Sequence, residues 1–427
     1  MSEEGAAFDA ACVTRARAAQ KAWAEQTLAS RVRALAKAKR RLLERASELT
    51  DALRESSGEV AAEALFLEIV PSADVFDYWL RSVPDLLAPV EVDLSPLVHA
   101  GKSGRSVRAP RGVIALFTPA EYALALPLRT IVPALLAGNA VVWLPNETAR
   151  RVSESIARAF EDLVPSGIFT LVRGGHTHAN ELISKGLDWV VFSGDPNDGR
   201  KILAACAEEL TPASMELGGD DAAVVLDDAK LERTSRGIVW AANALDGKSA
   251  FSIKRVYAEK KIAPKLTERI GALAKGTKAS ELSVVEVESL EHAVERIRAS
   301  RHGLTTSVWT SDLERTTEIA GLLGTPVVSF NCHGISAAIA EAPWGGRGES
   351  GFGVTNGPFA LDALTRPSFI LEDRSVRARD MYWQPYTPTL ERALMELARV
   401  KGGASFFGRL VAWFSLFAAL TKRFFES

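Results

Sequence analysis

Cysteine is scarce in this chain: Cys12, Cys206 and Cys332 are the only three in 427 residues. Scattered and odd in number, they supply neither a disulfide framework nor a thiolate metal site, and they favour a reducing, cytoplasmic location. Excess charge is missing too. A formal net charge of -2 offers no electrostatic handle for nucleic acid. The opening MSEEGAAFDA is acidic and lacks the basic-then-apolar pattern of an export signal, so export is not expected. What remains is 47% hydrophobic and 24% charged, an ordinary soluble composition, in a chain too long for one core. Two or more domains are expected.

From about Val13 to Ser57, Ala, Leu, Arg and Lys recur with apolar residues three and four apart, which predicts helix. The basic run KAKRR within it reads as a solvated face. After Pro110 short β-rich runs alternate with helical stretches: GVIALF, ALPLRTIVPALLAG, NAVVWLP, TARRVSESIARAFEDLV, GIFTLV, DWVVFSG, GRKILAACAEEL and DAAVVLDD. Strand, helix, strand at this spacing predicts a parallel sheet covered on both faces, with ligands at the C-terminal strand ends. A second, smaller α/β unit follows from IKRVYAEK to PVVSFN, and then the Gly-rich PWGGRGESGFGVTNGP. His176 and His178, spaced HTH in a loop opening a helix, have no third ligand in view, so no metal site is expected.

These segments carry a resemblance. SMELGGDDAAVVLDDAKLERTSRGIVWAAN is similar to the Glu-Leu-Gly-Gly segment of the aldehyde dehydrogenase superfamily and the helix leading to its catalytic cysteine. DLSPLVHAGKSGRSVRAPRGVIALFTP resembles its oligomerisation hairpin, and PWGGRGESGFGVTNGP its C-terminal Gly-rich segment. The resemblance runs to about Asp380. It implies an α/β fold with a Rossmann-type nucleotide-binding domain (1–91 and 108–217), an oligomerisation hairpin and strand (92–107 and 362–372), a truncated catalytic-type domain (218–361) and a C-terminal extension with an apolar helix (373–427).

The resemblance also implies a reaction, NAD(P)-dependent aldehyde oxidation through a thiohemiacetal and a thioester. That chemistry needs a thiolate, oxyanion donors, a base for water and a bound nicotinamide. The nucleophile position, four residues before the lysine of KRV, is Ala250, whose methyl forms no adduct. Ser249 and Ser252 flank it without a neighbouring base and read as capping or packing hydroxyls. Cys332 lies in a segment resembling one near the family's substrate tunnel and reads as a structural thiol. The oxyanion donor position carries Glu121, which only accepts hydrogen bonds when ionised. Glu216 keeps the general-base position and reads equally as a structural acid at a Gly-Gly turn.

Cofactor binding is eroded in the same way. The lysine expected on the adenine ribose is Leu144. The phosphate loop keeps Ser193, Gly194 and Gly199, but Asp195 before Pro196 predicts an N-cap where pyrophosphate would sit. Between IKRVYAEK and LSVVEV the family carries several dozen more residues, ending in Glu-x-Phe-Gly-Pro; no Phe-Gly-Pro follows Glu281 here. The expectation is a catalytically inactive relative with no cofactor or weak NAD or NADP binding. Its role would be scaffold, ligand sensor, or partner in a homo-oligomer or a hetero-oligomer with a related dehydrogenase. The alternative is an oxidoreductase or hydrolase with a non-cysteine site around Glu216.

The tail SFFGRLVAWFSLFAALTKRFF is apolar nearly all round, with Phe406, Leu410, Trp413, Phe414, Phe417 and Phe424 on one stripe. Its uncharged stretch, 410–421, is shorter than the ~17 to 25 residues of a bilayer span. Flanking Arg409, Lys422 and Arg423 suit a helix in a membrane interface, through residues 404–427, and docking against protein is the competing expectation.

Overall fold

The β-rich runs and helical stretches of the sequence become two parallel sheets in a computed structural model that describes residues 9, 11–58, 60–95, 99–376, 380, 382–403 and 405–425. The chain divides into two units, Met1–Pro89 with Val107–Ser368, and Val90–Ser106 with Phe369–Ser427. Strands are numbered in chain order.

In the larger unit one sheet has six strands, in the spatial order β15 (Gly351–Phe352), β7 (Ala213–Leu217), β6 (Trp189–Gly194), β3 (Val113–Thr118), β4 (Ala140–Pro145), β5 (Phe169–Leu171). Neighbours from β7 to β5 are parallel, and only β15 runs against its partner. Every residue of β3 and β4 is buried, as strands covered on both faces require. The chain winds from β3 outward to β5, then returns to place β6 on the other side of β3. Loops leaving β3 and β6 therefore diverge and open a crevice at their C-terminal ends.

The second sheet has five parallel strands, β10 (Val284–Val287), β9 (Ile253–Glu259), β8 (Asp221–Val225), β12 (Thr305–Trp309) and β13 (Val327–Phe330). Two apolar clusters cover its faces: Ile238, Leu266 and Ile270 lie in one, Leu290, Val294 and Ile319 in the other. β9 and β10 are joined by the helix Ala263–Leu273 and a short turn Lys278–Glu281. A two-stranded ribbon of β11 (His302–Gly303) and β14 (Arg347–Gly348) accompanies the sheets.

The stretch read as continuous helix from Val13 to Ser57 is three helices, Ala11–Glu25, Leu28–Leu43 and Ala46–Ser57. Periodicity carries across the breaks. Capping does not: Thr27 accepts the Ser30 N–H at 3.2 Å and restarts the helix.

In the smaller unit β1 (Val90–Val92), β2 (Lys102–Pro110) and β16 (Thr365–Asp373) form a sheet in the order β1-β2-β16. Its Lys102 ammonium is held by Asp373 and, at 2.7 Å, by Asp380. The helices Pro388–Ala398 and Phe406–Phe425 pair, burying Ala393, Leu416 and Ala419 between them. The opposite face of the second helix exposes Phe407, Leu410, Val411, Trp413, Phe414 and Phe417. The side chains of Phe406, Arg423 and Phe424 lie outside the described residues. Among the described residues no helix is long and apolar enough to cross a membrane.

Candidate active site

A cavity of about 400 Å³ lies where the C-terminal ends of β3, β6 and β7 meet the loops that enter β8, β9 and β12. Glu121, Ser193, Gly194, Asp195, Glu216 and Ala250 all line it, so the fold gathers six positions spread over 130 residues of sequence. Leu144 and Gly199 are not among its lining residues. Leu144 sits in β4 and is wholly buried in the core, where its side chain offers no hydrogen bond to a sugar. Gly199 packs under Leu217; a Cβ there would lie 2.6 Å from Leu217 Cδ2.

The loop after β3 is fixed from two sides. Glu68, fully buried, accepts the N–H groups of Leu124 (3.0 Å) and Ala125 (2.6 Å), capping the helix Ala125–Leu136. Tyr122, in the left-handed region at φ 53°, donates its hydroxyl to Ser249 Oγ at 2.9 Å and stacks on Phe251 with 5.4 Å between centroids. These contacts hold Glu121, a carboxylate, in the cavity wall.

The loop that carries Ala250 is held as firmly. Ser249 Oγ accepts the Phe251 N–H (3.3 Å) in addition to the Tyr122 hydroxyl, and Ser252 Oγ donates to Ala244 O (3.2 Å). Both serines are buried and work as structural hydroxyls in this geometry. Ala250 itself is exposed to the cavity. Its carbonyl leaves no room at Gly219, where a Cβ would lie 2.4 Å from it. Lys254 donates to Gly219 O, and Arg255 to Asp220 O at 3.1 Å, tying the start of β9 to the β7–β8 connection. Lys248 is exposed at the cavity edge.

Beneath Phe251 lies a buried polar chain. His333 Nε2 is 2.7 Å from Phe251 O and 3.4 Å from Thr305 Oγ1, and Thr305 donates to Asp221 Oδ2 at 2.7 Å and, through its N–H, to Oδ1 at 3.1 Å. Burial pushes the Asp221 carboxyl up to about 7, against the pull of its Thr305 hydrogen bonds and of Lys254 and Arg255. Burial pushes the His333 imidazole down to about 4, so it is neutral at ordinary pH.

Glu216, on β7 beside Gly351 of β15, is engaged by an ion pair. Arg129 Nη2 lies 3.2 Å from Glu216 Oε2, with the two side chains 10% and 15% exposed. Arg129 comes from the helix Ala125–Leu136, where it is the one charged residue in an apolar run. That isolation was the available signal for Arg129. The acid within ALFLEIV was the same kind of signal for Glu68. No local pattern marks Tyr122, Asp221 or His333 as part of the site.

On the nucleotide side, Asp195 Oδ1 accepts the Asn197 N–H at 2.7 Å and so caps the helix Pro196–Glu208. The cap occupies one of the donors that would face a pyrophosphate and adds a negative charge there. Leu144, buried in β4, brings no amine to this loop. Glu281 pairs with Lys278 at 3.4 Å on the exposed turn before β10. Cys332 is a half-buried free thiol whose carbonyl accepts from Ser329 Oγ at 2.7 Å. His178 lies in the short turn Gly175–His178, and the His176 side chain is outside the described residues. No group of three metal-ligating side chains occurs among the described residues.

The sequence matches the model of the aldehyde dehydrogenase family over residues 2–281 and 279–370. The two matches meet at the short turn between β9 and β10. The chain is 27% identical to a 4,4'-diapolycopene aldehyde oxidase of Methylomonas sp, covering 88% of this chain and 83% of the relative. It is 25% identical to a putative succinate-semialdehyde dehydrogenase (NADP(+)) 2 of Mycobacterium tuberculosis (strain ATCC 25618 / H37Rv), covering 91% and 89%. Among solved structures it resembles PnpE in complex with nicotinamide adenine dinucleotide, with a TM-score of 0.80 at 23% identity over 87% of this chain and 91% of that one. Lactaldehyde dehydrogenase from Escherichia coli gives 0.79 at 22% identity over 85% and 90%. These structural likenesses establish the fold.

Proposed function

The chain belongs to the aldehyde dehydrogenase family, and from that premise we propose that it is a member without the family's oxidation chemistry, retained as a ligand-sensing or assembly component. The observation that carries this reading is Ala250, a methyl facing the cavity from the nucleophile position. Two neighbours support it. Glu121 puts a carboxylate where an oxyanion donor is needed, and losing one such donor removes about 2.7–4 kcal/mol of transition-state stabilisation. Glu216 is ion-paired to Arg129, which engages one of its carboxylate oxygens. The Asp195 cap and buried Leu144 support weak or absent NAD and NADP binding.

Assembly is the second half of the proposal. Strand β16 exposes Phe369, Ile370 and Leu371, an apolar edge suited to a second copy or to a related dehydrogenase in a mixed oligomer. The tail helix Phe406–Phe425 contains Arg409, Lys422 and Arg423 and no acidic residue. Its apolar outer face between basic ends suits an anionic lipid surface on the cytoplasmic side.

Two measurements test these readings. Calorimetric titration of the full chain with NAD+ and NADP+, followed by assay against straight-chain aldehydes, is expected to give no turnover and at most weak binding. Turnover lost in Glu216→Gln would overturn the inactive reading. Sedimentation with phosphatidylglycerol vesicles is expected to retain the full chain and release Phe414→Glu; equal behaviour of the two sinks the lipid docking.

A further inference from the structure

The cavity holds buried hydrogen-bonding groups that the protein itself leaves unmet. Arg129 is 8% exposed and its Nε has no hydrogen-bond partner; Ser193 is 2% exposed and its Oγ has none either. Both line the cavity. A buried donor without a partner is unfavourable, and a ligand that supplies the acceptor relieves it.

The charge of the lining limits what that ligand can be. Arg129, Lys248 and Lys254 line it together with Glu121, Asp195 and Glu216, three cations and three carboxylates. A ligand carboxylate would add a fourth anion, and on Arg129 it would compete with Glu216 at 3.2 Å. A ligand ammonium has donors only and leaves Arg129 Nε unmet. A carboxamide suits both walls: its carbonyl oxygen accepts from Arg129 Nε, and its NH₂ donates to a carboxylate such as Glu216 or Glu121. Ser193 Oγ can take either role. No net charge is brought into the cavity.

Most of the remaining lining is apolar. Tyr122 stacks on Phe251, and Phe251 meets Trp344 edge-on at 6.0 Å between centroids, with Leu67 and Leu126 also in the lining. A volume of about 400 Å³ accommodates an alkyl chain of medium length.

We propose that this cavity binds an uncharged aliphatic carboxamide, head group against the Arg129–Glu216 pair and Ser193, chain against the Tyr122, Phe251 and Trp344 wall. This assignment rests on the reading of the protein as a non-catalytic ligand binder.

The test is calorimetric titration of the full chain with decanamide, decanoate and decylamine. Decanamide binds, and the two charged analogues bind at least about tenfold more weakly, a difference of about 1.4 kcal/mol. Arg129→Lys keeps a cation on Glu216 but deletes the Nε donor, and Ser193→Ala deletes the hydroxyl. Each weakens decanamide about tenfold, and either variant alone is informative if the other fails to fold. Absence of decanamide binding, equal or tighter binding of decanoate, or wild-type affinity in both variants overturns the assignment. Mass spectrometry of the titrated mixture separates the two readings. Conversion of decanamide to decanoate supports the site and sinks the inactive reading, whereas unaltered but bound decanamide supports both.

Discussion

Arg129 and Glu216 are 87 residues apart in sequence and form an ion pair of 3.2 Å at the wall of the cavity. The pair sets a guanidinium against Glu216 from a helix that is otherwise apolar. It also joins the helix after β3 to the end of β7, so it ties two elements of the fold together at the cavity.

Arg129→Met leaves Glu216 a nearly buried, unpaired carboxylate. Destabilisation approaching the about 3–5 kcal/mol of a broken buried pair is expected, somewhat reduced by the residual exposure of both groups. The double variant Arg129→Met/Glu216→Gln recovers most of it. Urea unfolding of the four members of the cycle measures the coupling, and additive losses would show that the pair is not energetically linked.

Ala250→Cys places a thiol in the cavity without restoring oxidation, because Glu121 and the Arg129–Glu216 pair remain. Intact mass after brief iodoacetamide treatment is expected to show one adduct more than the unsubstituted protein, with no NADH formed from aldehyde and NAD+. Measurable NADH formation in this single variant would mean that the remaining site is competent.

Asp221 and His333 give opposite dependences of stability on pH. The folded Asp221 carboxyl titrates near 7 against 3.8 in the unfolded chain, so its contribution falls as pH rises between those values. The folded His333 titrates near 4 against 6.5, so its contribution is lost as pH falls through that window. The two slopes offset each other where they overlap. Asp221→Asn is expected to become more stable as pH rises from about 4 to 6.5, and His333→Gln less stable from about 4 to 7. Urea midpoints across this range check both, and parallel profiles in the two variants would contradict the assignment.

Gly219→Ala forces a methyl to within 2.4 Å of the Ala250 carbonyl and 2.8 Å of Asp221 Oδ1. Neither neighbour is the free end of a flexible chain, so the loop must move. A loss of about 1–3 kcal/mol is expected, with faster proteolysis between residues 244 and 252. An unchanged digestion pattern would show that the loop is not held there.

The alternation of β-rich and helical stretches after Pro110, the alanine at position 250, the Asp195 and Pro196 that open a helix and the uncharged stretch of the tail were all legible in the sequence, because each depends on neighbours within a few residues. Period, capping and turn chemistry are local properties. Arg129 and Glu68 were visible only as charges in apolar runs, with nothing to name their partners. Those partners, Glu216 and the N–H groups of Leu124 and Ala125, are set by the order β7-β6-β3-β4-β5 and by the helix laid across its end. Residue identity alone gives the alanine at position 250 and the Asp195–Pro196 pair that opens a helix. Packing alone brings an arginine to Glu216, puts Ser193 and Arg129 in the lining of one cavity with a buried Oγ and Nε unmet, and sets His333 under the Ala250 loop. The physical reason is that pairing between distant charges depends on which strand ends the topology brings together, and no local pattern carries that information.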